Sequence, residues 1–393
     1  MHQPDYAKWV RDFPLEILFF MASLSLLLVP SVPPFRGLES VSGWIKPYYY
    51  VNYFDLGLIK RGLVGTIYFI LGIPGWTDQP EIVVVASHIL VSIATASLFW
   101  LFAGQQLQGW SVANKLPLYV VFLLSPAFFV RLGFDTGRMD LWCFAISIAT
   151  LIALFNDDLS VRSAALISGF SMSVQLLIHD ASILFYSPLI LGTFLLRKVL
   201  SPVEGGEEKR FRVAAVLTAI VLPVVVGMML LVWGKYEPGP EALDQALIRL
   251  NPGLAGGMSM ELTWTLKRAI INVWSGLTLW GFLGGHLLII SYYLLSVSLV
   301  IFLARAPLWM CATAFTPLAV SFLATDSLRF LGVSVMSFFL LVLVAAGNWE
   351  IKKVPDALRM PVYLMAAFFF VFGPWSCCSG DPLPLLKYVP WRI

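Results

Sequence analysis

The chain is 393 residues long, 59% hydrophobic and only 12% charged, with 26 Lys and Arg against 23 Asp and Glu. Soluble domains carry about 25% charged residues, so a soluble enzyme, a disordered regulator and a DNA-binding protein are excluded. A net charge of +3 is too small to call for a nucleic-acid partner, and what remains is an all-α, polytopic integral membrane protein, read as one transmembrane domain over residues 1–393.

A membrane span needs roughly 20 mostly apolar residues. In chain order, about eleven segments qualify or come close: 14–30, 81–103, 116–132, 141–155, 163–178, 182–196, 213–233, 279–303, 307–323, 330–347 and 360–374. The first follows a charged head and ends at Pro30 without a small-residue cleavage site, so no cleavable signal peptide is expected. Between the first two spans, GLVGTIYFILG (62–72) is apolar but too short to cross, and predicts an interfacial helix. The stretch 260–277, with Trp264, Lys267, Arg268 and Trp274, predicts another. The run Trp44-Ile-Lys-Pro-Tyr-Tyr-Tyr is expected as an aromatic belt at the membrane surface. His88 and His286 lie on apolar spans and read as packing residues. Cys143, Cys311, Cys377 and Cys378 form no CxxC and no Cys/His metal spacing.

Cations in the loops set the orientation. The short loop 197–212 (RKVLSPVEGGEEKRFR) carries five positive residues and places itself, and with it the N-terminus, in the cytoplasm. The segments 31–80 and 234–278 and the tail 375–393 then lie outside, with short interfacial helices in the two loops.

With that orientation the charges at the span ends fall mostly on the outer side. They form five clusters: Asp55 with Lys60 and Arg61 (YFDLGLIKRGLVG); Asp135, Arg138 and Asp140 (FDTGRMDLW); His179 and Asp180 (LLIHDASILF); Lys267 and Arg268; and Asp326 with Arg329 (ATDSLRFLG). Ionisable groups at bilayer level are costly, and a functional role is their default reading. Carboxylates supply a general base or a metal ligand, and Arg and Lys hold phosphate. Such a mixture suits a phosphorylated lipid carrying a sugar. Structural readings stand beside this one. Asp135 with Arg138, and Asp326 with Arg329, are spaced i, i+3 and suit plain ion pairs; Lys60 and Arg61 suit a surface belt of charge; Asp180 suits a helix N-cap. The repeated D-x-x-R also leaves open a transporter or flippase with duplicated halves.

The layout of residues 1–200 resembles the GT-C superfamily of integral-membrane glycosyltransferases. The resemblance implies a polyprenyl-phosphate-linked sugar donor, a glycan or lipid-linked acceptor, and chemistry on the extracytoplasmic face. Asp55 is similar in placement to the family's acidic residue in the first outer loop. FDTGRMDLWCFAISIATLIAL resembles its second acidic motif, with Asp135 or Asp140 as the matching acid, and 62–72 looks like its lateral helix. The chain also resembles Wzy-type polysaccharide polymerases of the EpsG-like group, through the histidine of LLIHDASILFYSPLIL and through Arg138 and Arg329 as holders of undecaprenyl pyrophosphate. The expected site is therefore Asp55, Asp135 and Asp140 as catalytic acids; Lys60, Arg61, Arg138, Arg329 and His179 on the phosphate; and Asp180 and Asp326 in support. A divalent metal, magnesium or manganese, is the one cofactor this layout leaves room for. A bacterial inner membrane is the expected location.

Overall fold

The computed structural model describes residues 6–31, 37–125, 128–200, 206–255, 260–263, 307–319, 327–348, 360, 372–375 and 380–382. Helices dominate them. In order they are α1 (Tyr6–Leu28), α2 (Tyr53–Leu56), α3 (Gly62–Ile70), α4 (Pro80–Gln106), α5 (Val112–Leu124), α6 (Phe129–Phe134), α7 (Met139–Leu154), α8 (Val161–Ile178), α9 (Ser182–Phe185), α10 (Ser187–Phe194), α11 (Gly206–Trp233), α12 (Pro240–Leu250), α13 (Leu308–Ala319) and α14 (Ser327–Asn348). One short antiparallel ribbon, β1 (Phe372–Trp375) with β2 (Gly380–Pro382), is the exception. It places the end of the expected span 360–374 in extended chain.

Among the described residues, three helices are long and apolar enough to cross a membrane: Pro80–Gln106, Val161–Ile178 and Phe211–Trp233. Leu15–Ser31, Val112–Leu124, Met139–Leu154 and Gly332–Asn348 are shorter apolar helices. The expected span 279–303 lies outside the described residues. The expected span 116–132 is two helices, not one. Ser125, which precedes Pro126, has ψ 123, as the proline ring demands of its predecessor, and α5 stops there before α6 begins at Phe129. Discontinuous helices are tolerated at membrane depth where protein surrounds the break.

An aromatic core holds α4, α5, α6, α7 and α14 together. Phe99, Phe122, Phe128, Phe129, Phe144 and Phe339 are essentially buried and meet in edge-on or tilted pairs, such as Phe122 with Phe339 at 4.9 Å. Such pairs add about 0.5–1.5 kcal/mol beyond area burial. α14 is buried almost throughout, from Gly332 to Ala346. α7 and α8 are joined by polar contacts, Thr150 to Ser171 at 2.8 Å and Gln175 to Ser147 at 3.1 Å. α8 meets α11 through small residues: Gly169 lies against the Ala219 carbonyl, with Ala164, Ala165 and Ala215 buried beside it. α1 is pinned to α5 by Lys115 donating to Glu16 at 2.7 Å and Tyr119 donating to the same oxygen at 2.9 Å.

The aromatic run 44–50 departs from expectation. Tyr48, Tyr49 and Tyr50 are buried at 3%, 0% and 1% exposure, so they are core residues and not a lipid-facing belt. Tyr49 donates to the Gly137 carbonyl at 2.8 Å, which locks this segment onto the turn between α6 and α7.

Candidate functional site

Three turns between helices bring their charges together at one end of the bundle. The first joins α6 to α7. Arg131 sits in the last turn of α6 and Asp140 in the first turn of α7, so each helix dipole favours the charge it carries. Arg131 has no exposed surface. Its Nη2 donates to Asp140 Oδ2 at 3.0 Å, and its Nε lies 3.4 Å from Asp135 Oδ2. Arg138 Nε lies 3.4 Å from the same Asp135 oxygen. Gly332 of α14 makes room for the Arg131 guanidinium: a Cβ there would lie 3.0 Å from Nη1.

The second turn joins α8 to α9. His179 caps α8 in extended geometry (φ −151°, ψ 111°) and carries Asp180 beyond the helix end. The His179 Nε2 faces Asp140 Oδ1 at 3.8 Å, and Nδ1 faces Asp180 Oδ1 at 3.7 Å. The Ala181 amide also approaches Nδ1, at 3.2 Å. Ala181 holds the N-cap position of α9, without a side-chain cap, so Asp180 is not the cap.

The third turn precedes α3. Arg61 donates from Nε to Asp180 Oδ1 at 3.2 Å. It adopts φ 62°, ψ 17°, and among the described residues no other non-glycine has positive φ. Left-handed geometry costs such a residue about 1–3 kcal/mol, and strain of this kind gathers at functional sites. Lys60 is tied by its amide to the Gly234 carbonyl at 2.8 Å. Partial burial pushes the Asp180 carboxyl up, but Arg61, His179 and Lys60 together outweigh it and hold it well below the usual carboxylate range.

The result is a continuous run of charge: Arg138, Asp135, Arg131, Asp140, His179, Asp180, Arg61. Both end guanidiniums rest on one aromatic corner. Arg138 lies over the Trp44 ring at 4.7 Å, Arg61 over the Tyr48 ring at 4.8 Å, and those two rings are 6.2 Å apart. His88, expected as a packing residue, anchors the first turn. It is 1% exposed, accepts from the Gly137 amide at 3.2 Å and therefore donates from Nε2 to the Leu27 carbonyl, 3.1 Å away.

Asp55 lies on α2, five residues before Lys60. It is exposed at the end of α2, and the Asn52 amide donates to its carboxylate at 2.8 Å while Asn52 caps the helix. Arg329 lies in the first turn of α14, three residues before Gly332, and its side chain lies outside the described set. Asp326, Lys267, Arg268 and His286 lie outside the described residues. Arg131 was not among the expected site residues, although an arginine inside the apolar run FFVRLGF is itself the signal.

Among the described residues no three His, Cys, Asp or Glu side chains gather into a metal site. Asp135, Asp140 and Asp180 each face a guanidinium, so this donor set does not fit magnesium or manganese. Three guanidiniums and three carboxylates balance along the run, so the arrangement ties the three turns to one another, with Arg138 and Arg61 at its ends. No family model, no curated protein and no solved structure matches the chain.

Proposed function

We propose that the chain is a membrane glycosyltransferase that moves a sugar from a polyprenyl-phosphate-linked donor to an acceptor on the extracytoplasmic face, in the manner of the GT-C superfamily. The observation that carries this reading is the run from Arg138 to Arg61. A chain with 12% charged residues gathers seven ionisable groups from three separate turns into one end of its helices. In this reading about eleven spans cross a bacterial inner membrane with the N-terminus inside.

The chemistry is a single inverting displacement. Asp55 takes the proton from the acceptor hydroxyl. That oxygen attacks the anomeric carbon, and the bond from this carbon to the phosphate oxygen breaks. Lys60, Arg61 and Arg138, with Arg329, hold the departing phosphate and its charge. Asp135 and Asp140 were expected as acids of the reaction. Their ion pairs support a different part, that of holding Arg131 and Arg138 in place. His179 and Asp180 orient Arg61, and Asp326 supports Arg329.

A second reading is favoured by the shared aromatic corner. Two guanidiniums on adjoining rings suit the two phosphates of a pyrophosphate, the donor of a Wzy-type polymerase. The test offers purified protein in proteoliposomes both donors, one polyprenyl-phosphate sugar and one pyrophosphate-linked glycan. Asp55→Asn is expected to lower transfer by about 10²–10⁴-fold, and Arg61→Ala to abolish it. Correctly folded variants with full transfer would overturn the reading, as would uptake of a glycan lipid with no product from either donor.

A further inference from the structure

α3 is a one-sided helix. Its inner face is fixed: a Cβ on Gly65 would lie 2.1 Å from the Val51 carbonyl oxygen, and one on Gly62 would lie 2.4 Å from the Tyr53 ring. Thr66 accepts from the Tyr53 amide at 2.9 Å, and Tyr68 donates to Ser87 at 2.5 Å. The helix therefore cannot roll, and its other face is set outward. That face is apolar. Ile67, Phe69, Ile70 and Leu71 are exposed, Ile70 by 66% and Leu71 by 60%, and Phe54 stacks on Phe69 at 5.3 Å to extend the surface. No charged residue occurs from Gly62 to Thr77.

Exposed apolar faces also occur on α11, but α11 is long enough to cross a membrane. α3 is not, at nine residues. It begins instead at Lys60 and Arg61. At a rise of 1.5 Å per residue, Ile67 and Ile70 lie about 9 and 14 Å along the helix from Arg61. Cations at one end and hydrocarbon-binding surface along the length match the two parts of one molecule.

We propose that this face of α3 is the docking surface for the hydrocarbon chain of a lipid phosphate whose phosphate group is taken by Lys60 and Arg61. The proposal rests on the lipid-linked donor of the preceding section. The chain of the lipid lies along Ile67, Ile70 and Leu71, and the Phe54–Phe69 pair forms one edge of its path. α3 thereby selects for a long apolar chain, and the cations select for the phosphate.

The test uses the whole protein in lipid nanodiscs and a long-chain polyprenyl phosphate bearing a photoreactive diazirine in its chain. Labelling is expected to concentrate on 62–72. Excess unlabelled polyprenyl phosphate should displace it, and the uncharged polyprenol should not. Ile67→Asn with Ile70→Asn should lower labelling about fivefold, whereas Leu217→Asn with Val221→Asn on α11 should leave it unchanged. Labelling spread equally over α3 and α11, or undiminished by the phosphate competitor, would overturn the proposal. The competition needs no variant, so misfolding cannot decide it. Displaceable capture on α3 without glycan product from any donor upholds the docking surface and overturns only the transfer reading. Product without capture on α3 does the reverse.

Discussion

Arg131 touches both carboxylates of the turn between α6 and α7, and it does so with no exposed surface. Its removal would take the guanidinium from Asp140, which is equally buried, and leave that carboxylate facing the His179 ring. Breaking a buried pair from one side costs about 3–5 kcal/mol, because the remaining charge is uncompensated. Arg131→Met should destabilise the protein by that amount in denaturant unfolding from micelles, and Arg131→Met with Asp140→Asn should recover a large part. A single variant as stable as the parent would show that the pair carries little. Hydropathy reading hides this residue. One arginine among FFVRLGF barely lowers the mean of a window, and its partner lies nine residues on, just before what reads as the next span. The neighbouring Asp135–Arg138 pair was legible from i, i+3 spacing; that Asp135 serves two guanidiniums was not.

At the scale of elements, close backbone approach decides where the charged turns sit. Gly133 of α6 lies so near α1 that a Cβ would stand 2.1 Å from the Leu26 carbonyl oxygen. Gly133→Ala must force the helices apart, at about 1–3 kcal/mol for overpacking, and should lower the thermal midpoint by several degrees. Gly75→Ala has nothing within 4 Å of the new methyl and should change stability by less than about 0.5 kcal/mol. Equal effects would mean that helix propensity, not spacing, is being measured. The helices themselves were largely legible. The expected spans 81–103, 141–155 and 163–178 correspond to Pro80–Gln106, Met139–Leu154 and Val161–Ile178, because long apolar runs bounded by polar residues leave few alternatives. The buried Tyr48–Tyr50 run was illegible for the opposite reason. An aromatic run has the same composition whether it faces lipid or packs under another segment, and only the tertiary bond from Tyr49 to Gly137 distinguishes the two.

Across the whole molecule, Arg61 and Asp180 tie two regions 119 residues apart in sequence. Asp180 is held ionised chiefly against partial burial by Arg61, with His179 and Lys60 adding to it. A carboxyl whose folded pKa is depressed stabilises the fold above its unfolded pKa, about 4, and that contribution disappears only as pH falls through the folded value. The gap in thermal midpoint between the parent and Asp180→Asn should therefore be full from neutral pH down to about 4 and close at more acid pH. A gap that closes between pH 7 and 5 would place the effect on another group. The burial of Arg131 bears, finally, on how the chain is made. α6 has six residues and a permanent cation, too little to stay in hydrocarbon by itself. One carboxylate partner, Asp135, follows at the end of α6 itself, and the second, Asp140, arrives only with the first turn of α7. The charge on α6 is therefore fully matched only once α7 has been made, so the two helices are one unit of assembly and not two.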